Sequence, residues 1–198
     1  LADILVFDDA KRSLEFCVEA YEMAKKLSYP HGLGQSLGLM GFSHYMVSDH
    51  DAASARLLEA MPFAEAAGDE TGQADILSGL AAVQLSLGDY ERALSYSFKA
   101  LRLYVKLENS YREAWCLNGI GGGYHELGDY ERAMEYHNKS LEIFNGLIES
   151  DGGERVSVGK ARALNGIGTV CQSMGDFENA RRHHQESLEL FEEAGNKM

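Results

Sequence analysis

One octapeptide recurs along the chain at a fixed distance, and that period limits the fold before any single motif is weighed. Leu87-Gly88-Asp89-Tyr90-Glu91-Arg92-Ala93-Leu94 returns 40 residues later as Leu127-Gly128-Asp129-Tyr130-Glu131-Arg132-Ala133-Met134, and again as Met174-Gly175-Asp176-Phe177-Glu178-Asn179-Ala180-Arg181. Forty residues before the first copy stands Val47-Ser48-Asp49-His50-Asp51-Ala52-Ala53-Ser54, and forty before Ala53 is Ser13. The register is 13, 53, 93, 133 and 180. The last interval is 47, so about seven extra residues lie between the third and fourth copies, with Glu149 to Arg155 as their expected place.

Within each period the apolar spacing is helical twice over. Ala74, Leu77, Leu80, Ala81 and Leu85 follow i, i+3, i+4, i+7 steps, and Ala93, Leu94, Phe98, Leu101, Tyr104 and Val105 do so again after the Gly-Asp pair. Each unit therefore reads as a hairpin of a helix A and a helix B. Gly88, Gly128 and Gly175 stand where the first helix should end in a left-handed residue, and Asp89, Asp129 and Asp176 where a side chain can cap the next one. A lone hairpin cannot bury its apolar face, so successive hairpins must stack. With only two prolines, Pro30 and Pro62, a mostly helical chain meets few interruptions.

These residues resemble the tetratricopeptide repeat. Its pattern places a small residue in helix A, matched by Ala81, Gly121 and Gly168, and an aromatic near the start of helix B, matched by Tyr90, Tyr130 and Phe177. An alanine three residues later is matched by Ala93, Ala133 and Ala180. The unit is 40 residues rather than 34, its tryptophan column reads Leu77, Leu117 and Leu164, and the terminal proline is missing. A unit of this length is similar to the repeats of the Pins/LGN spindle-orientation adaptors and of bacterial signalling proteins. The resemblance implies an all-α, right-handed superhelix of about nine antiparallel helices, four complete hairpins plus a leading half repeat. As one domain over 1–198 it divides into a lone helix B at 3–28, repeats at 32–67, 71–107 and 111–148, the insertion at 149–155, and a fourth repeat at 156–194.

Composition narrows the partners. Eighteen Lys plus Arg against 31 Asp plus Glu leave a net charge of −13, which repels phosphate backbones and anionic lipid headgroups, so neither nucleic acid nor a membrane is expected. No apolar run approaches a membrane span, and Leu1-Ala2-Asp3 lacks the basic start of a signal peptide, so a cytoplasmic location is expected. Cys17, Cys116 and Cys171 are odd in number and widely spaced, which fits buried thiols better than disulfides or a zinc site.

The run Gly119-Ile120-Gly121-Gly122-Gly123 invites a phosphate-loop reading, but Tyr124 stands where a glycine is needed and the run lies mid-helix. Leu164-Asn165-Gly166-Ile167-Gly168 repeats Asn-Gly-Ile-Gly 47 residues on, so these glycines are expected to serve close helix packing. They also make the helix around Gly122 the weakest of the array, a candidate hinge or a place where a bound chain nears the backbone. None of the seven histidines forms a metal-ligating pattern; His137 and His184 share a helix B column. No catalytic constellation, cofactor motif or metal site is found, and no enzymatic activity is expected.

In this fold the helix A side chains turned away from helix B line a concave surface, the usual binding face of solenoids. The expected groove residues are Gln35, Gly38, Phe42 and Tyr45; Asp75, Ser78, Ala82 and Leu85; Trp115, Asn118, Gly122 and His125; and Arg162, Asn165, Thr169 and Gln172. Asn118 and Asn165 share a column, and a ladder of amides can grip an extended main chain; the alternative is that they only tie helices together. Trp115 would be an anchor if exposed and core if not. Arg162 is the only cation in these columns, which argues against clamping an acidic chaperone tail. Residues 49–89 carry eight carboxylates against Arg56 alone, which favours a basic or amphipathic segment.

Residues 3–28 register as a helix B without its helix A, and Gly195-Asn196 as the link Gly68-Asp69 into another helix A. Without polar caps, the chain is expected to be a piece of a longer array or to form a homodimer through its ends. The expected function is a non-catalytic scaffold that binds a peptide segment of a protein partner. The alternative is a regulatory or sensor module of a larger bacterial signalling enzyme or transcription regulator.

Overall fold

The computed structural model describes residues 2–151 and 153–195, with side chains placed for 11–148 and 153–195. Gly152, within the expected insertion, and Asn196, of the expected terminal link, lie outside the described residues. The described backbone is nine helices without a strand: α1 (Ala2–Lys26), α2 (Pro30–Met46), α3 (His50–Ala66), α4 (Glu70–Ser86), α5 (Tyr90–Lys106), α6 (Ser110–Glu126), α7 (Tyr130–Asp151), α8 (Glu154–Ser173) and α9 (Phe177–Gly195). Helices α2, α4, α6 and α8 are the A members of the hairpins; α1, α3, α5, α7 and α9 are the B members.

The turn chemistry explains the regularity. Helices α2 to α6 are each 17 residues long, and three-residue links separate them, which halves the 40-residue period into twenties. The middle residue of each link is left-handed: Gly68, Gly88, Gly128 and Gly175 have φ of +64 to +82°, and Ser28, Ser48 and Glu108 adopt the same region. At the links that follow with Asp or Asn, that residue caps the next helix, as Asp69 does for the N–H of Gly72 at 2.8 Å and Asp129 for that of Arg132 at 3.0 Å, whereas α2 starts at Pro30 after Tyr29 without a side-chain cap. The N–H and guanidinium of Arg132 hold the Asp129 carboxyl below the usual carboxylate range. For Asp176 the amide and N–H of Asn179 do the same. At the longer fourth interval α7 reaches Asp151 and α8 begins at Glu154, so the extra residues lengthen two helices.

The chain divides into two compact units, Leu1–Leu103 and Tyr104–Met198. In the first, α1 packs on α2, α2 on α3 and α3 on α4, while α2 also meets α4. Leu37, Leu57 and Leu80 are almost fully buried at its centre. In the second, α6 packs on α7, α7 on α8 and α8 on α9, while α6 meets α8. Phe144 is buried there among Ala114, Ala163 and the rings of Tyr111 and Trp115. The repeated alanines Ala53, Ala93, Ala133 and Ala180 are all buried, as the repeat pattern requires. All three cysteines are buried thiols outside any disulfide, and burial pushes the thiols of Cys17 and Cys171 up, away from the reactive thiolate.

Candidate functional site

In each unit the contact between successive A helices brings together residues from the expected columns. In the first unit, α2 and α4 flank a cleft of about 520 Å³. Gln35, Gly38 and Phe42 of α2 line it together with Asp75 of α4. The walls are otherwise Leu39, Ile76 and Ala64, while His31, Asp69 and Thr71 stand toward the helix starts. His31 Nδ1 is 3.4 Å from the Asp69 carboxylate, which also caps α4. The cleft is therefore lined by apolar side chains together with the carboxylates of Asp69, at the start of α4, and of Asp75 within it.

The expected residues of this unit do not all reach the cleft. Phe42, which does line the cleft, is half-buried and also rests against the core, beside the position a Cβ would take at Gly79. Tyr45 is half-buried and its ring tilts against His50 at 5.9 Å. Ser78 is half-exposed, whereas Gly38 is buried. His31, Leu39 and Thr71 lie outside the expected set. His31 and Thr71 sit four residues before Gln35 and Asp75, so carrying the columns one turn further would have found them.

In the second unit the columns are occupied differently. Trp115 is half-buried, edge-on to Tyr111 and Phe144 at 6.3 and 5.9 Å, and the Arg162 guanidinium lies 5.6 Å over its ring. The aromatic and the cation expected in one column thus meet each other, and Trp115 belongs mainly to the core. His125 reaches across to α8, with Nε2 2.9 Å from Ser173 Oγ. Thr169 donates its hydroxyl back to the Asn165 carbonyl at 2.9 Å, and Gln172 is exposed.

Asn118 and Asn165 are each joined to a helix B histidine. Nδ1 of His137 is 2.7 Å from Asn118 Oδ1, and Nδ1 of His184 is 3.0 Å from Asn165 Oδ1. An acceptor oxygen fixes the proton on Nδ1, so the imidazole donates and the amide keeps its NH2 group as donor. The amides therefore offer one hydrogen-bonding group where the sequence suggested two. His137 is 3% exposed, and burial, with His125 as a lesser influence, lowers its pKa to about 4. Its ring occupies the space that a Cβ would need at Gly121 on one side and at Gly166 on the other. That is the packing role of the Asn-Gly-Ile-Gly string. A Cβ at Gly119 or Gly122 would meet nothing within 4 Å, so those two glycines leave open surface.

Among the described residues no three His, Cys, Asp or Glu side chains are grouped to hold a metal ion, and no helix is long and apolar enough to cross a membrane.

Two family profiles, both described as tetratricopeptide repeat, match residues 72–146 and 161–194, together more than half of the chain. No curated protein matches significantly in sequence. Solved structures match in fold. BtubC (BKLC) from P. vanneervenii is 19% identical with a TM-score of 0.71, over 98% of this chain and 93% of that one. A Rap protein complexed with competence and sporulation factor is 15% identical with a TM-score of 0.76, over 99% of this chain and 54% of that one. A signal transduction ATPase with a tetratricopeptide repeat sensor, from Pyrococcus horikoshii, is 19% identical with a TM-score of 0.70, over 95% of this chain but 29% of the ATPase.

Proposed function

Because the chain belongs to the tetratricopeptide repeat family, we propose that it is a non-catalytic scaffold that takes up a peptide segment of a protein partner on the open faces of its A helices. The observation that carries this reading is the cleft between α2 and α4, where Gln35, Phe42 and Asp75 converge from two successive repeats. Its walls suit an apolar side chain, and its carboxylates suit a neighbouring cation, so the favoured segment is amphipathic and basic. In the second unit the amide NH2 groups of Asn118 and Asn165 would add main-chain contacts.

Panning a random peptide library against the chain tests the reading. The selected peptides should pair an aromatic or leucine with Lys or Arg. Leu39→Ser and Asp75→Asn should each weaken them by about tenfold, the loss expected of an anchor contact. An acidic consensus, or affinities indifferent to both substitutions, would overturn it.

A second reading is a sensor module within a larger signalling protein. It draws support from the likeness to the sensor-bearing ATPase, of which the chain spans less than a third. Assaying the full gene product with and without a selected peptide separates the two, since only the second has an output that responds.

A further inference from the structure

Of the four glycines in α2, three are accounted for by close packing. A Cβ at Gly32 would stand 2.6 Å from the Tyr29 ring, one at Gly34 3.1 Å from Phe63 Cβ, and one at Gly41 2.6 Å from Leu57 Cγ. At Gly38 the nearest atom beyond the helix's own backbone would be Ile76 Cγ1, at 4.0 Å. Glycine weakens a helix interior, and here no neighbouring helix comes close enough to require it. Gly38 shares its column with Ser78, Asn118 and Asn165. In the third and fourth repeats that position sends an amide to a helix B histidine. In the first repeat Leu57 takes the histidine's place and the amide is missing, so the α2–α4 cleft is floored by bare backbone at Gly38 and by the buried Ile76. Leu39 and the Phe42 ring line the same cleft, and Leu39 is 56% exposed.

Resting on the peptide-binding function proposed above, we infer that the anchor of that peptide is an aromatic side chain and that Gly38 is the residue that admits it. A planar ring can lie over the backbone at Gly38 and against Ile76 while meeting the Phe42 ring edge-on or offset, an attraction that an aliphatic anchor does not gain. The cleft, at about 520 Å³, holds such a group, and the ring covers the leucine that stands in water when the cleft is empty. Basic neighbours of the ring in the peptide meet Asp69 and Asp75, whose charge has the complementary sign. Both walls of the site belong to successive A helices of the array, α2 and α4.

Panning one peptide library against the parent chain, Gly38→Ala and Gly38→Leu tests the assignment. The parent should select Phe, Tyr or Trp at one position, with Lys or Arg nearby. Against Gly38→Leu, whose side chain takes the space itself, the aromatic preference should vanish while the basic residues persist. For the strongest parent-selected peptide, Gly38→Leu should weaken binding by about tenfold or more, and Gly38→Ala by less. Once the peptide's aromatic is replaced by Ala, neither substitution should weaken it further, because the two changes remove one contact. Thermal melts no lower than the parent's show that the variants are folded, and Gly38→Ala, whose lone Cβ finds only ordinary contact, keeps the test valid should leucine disturb the helix. An aliphatic consensus from the parent, an aromatic consensus unchanged in Gly38→Leu, or losses of the same size with and without the aromatic would overturn the anchor and leave the peptide-binding reading standing. A parent chain that selects no peptide would overturn both.

Discussion

His137 donates its Nδ1 proton to the side-chain oxygen of Asn118 across 2.7 Å, joining the B helix of one hairpin to its own A helix inside the core. The same pair recurs as His184 and Asn165, where both residues are more exposed. The difference in burial sets different costs for breaking the two bonds. Asn118→Ala leaves a buried N–H without its acceptor and should cost about 1–3 kcal/mol in urea unfolding, while Asn165→Ala, whose histidine can turn to water, should cost clearly less. Equal losses, or none, would mean that the hydrogen bond does not hold the hairpin.

Acid should act through the same imidazole. The pKa of His137 in the folded chain, about 4, lies below the ordinary 6.5, so over that interval the unfolded chain binds the proton more readily. The stability held by the neutral ring is complete above the ordinary value and drains as pH falls toward the folded one, about 3 kcal/mol in all. The carboxyls of Asp129 and Asp176, held low when folded, also lose stability in acid, so the readout is the difference between parent and variant. His137→Leu is a suitable variant, because Leu57 occupies the same column in the first unit against Gly41 and Gly79. Its urea midpoint should fall less than the parent's between neutral pH and pH near 4. Parallel slopes would place the acid sensitivity elsewhere.

Two adjacent glycines should respond to the same substitution with opposite signs. A Cβ at Gly121 would stand 2.8 Å from the His137 ring, and the ring cannot retreat because Gly166 backs it on the other side. Gly121→Ala should therefore cost about 1–3 kcal/mol by overpacking. At Gly122 a Cβ meets nothing within 4 Å, so Gly122→Ala should stabilise by about 1 kcal/mol through helix propensity alone. Thermal melts of the two variants decide it, and melts shifted in the same direction would refute the packing.

The period, the helices and their caps were legible in the sequence because they are local. Gly128 and Asp129 end one helix and begin the next through bonds within a few residues of themselves, so their spacing alone announces the hairpin. The burial of Ala133 followed from the same periodicity. The side-chain columns were legible as columns too, since helical geometry fixes which residues share a face.

What each column meets was decided only by the packed structure. Asn118 loses its acceptor to His137, Arg162 lies over Trp115, and Phe144 is buried where Phe191 is not. These outcomes depend on how far one helix is rotated and shifted against the next, which is set by the side chains of both helices at once. A repeat period specifies that the helices stack, but it does not carry that information.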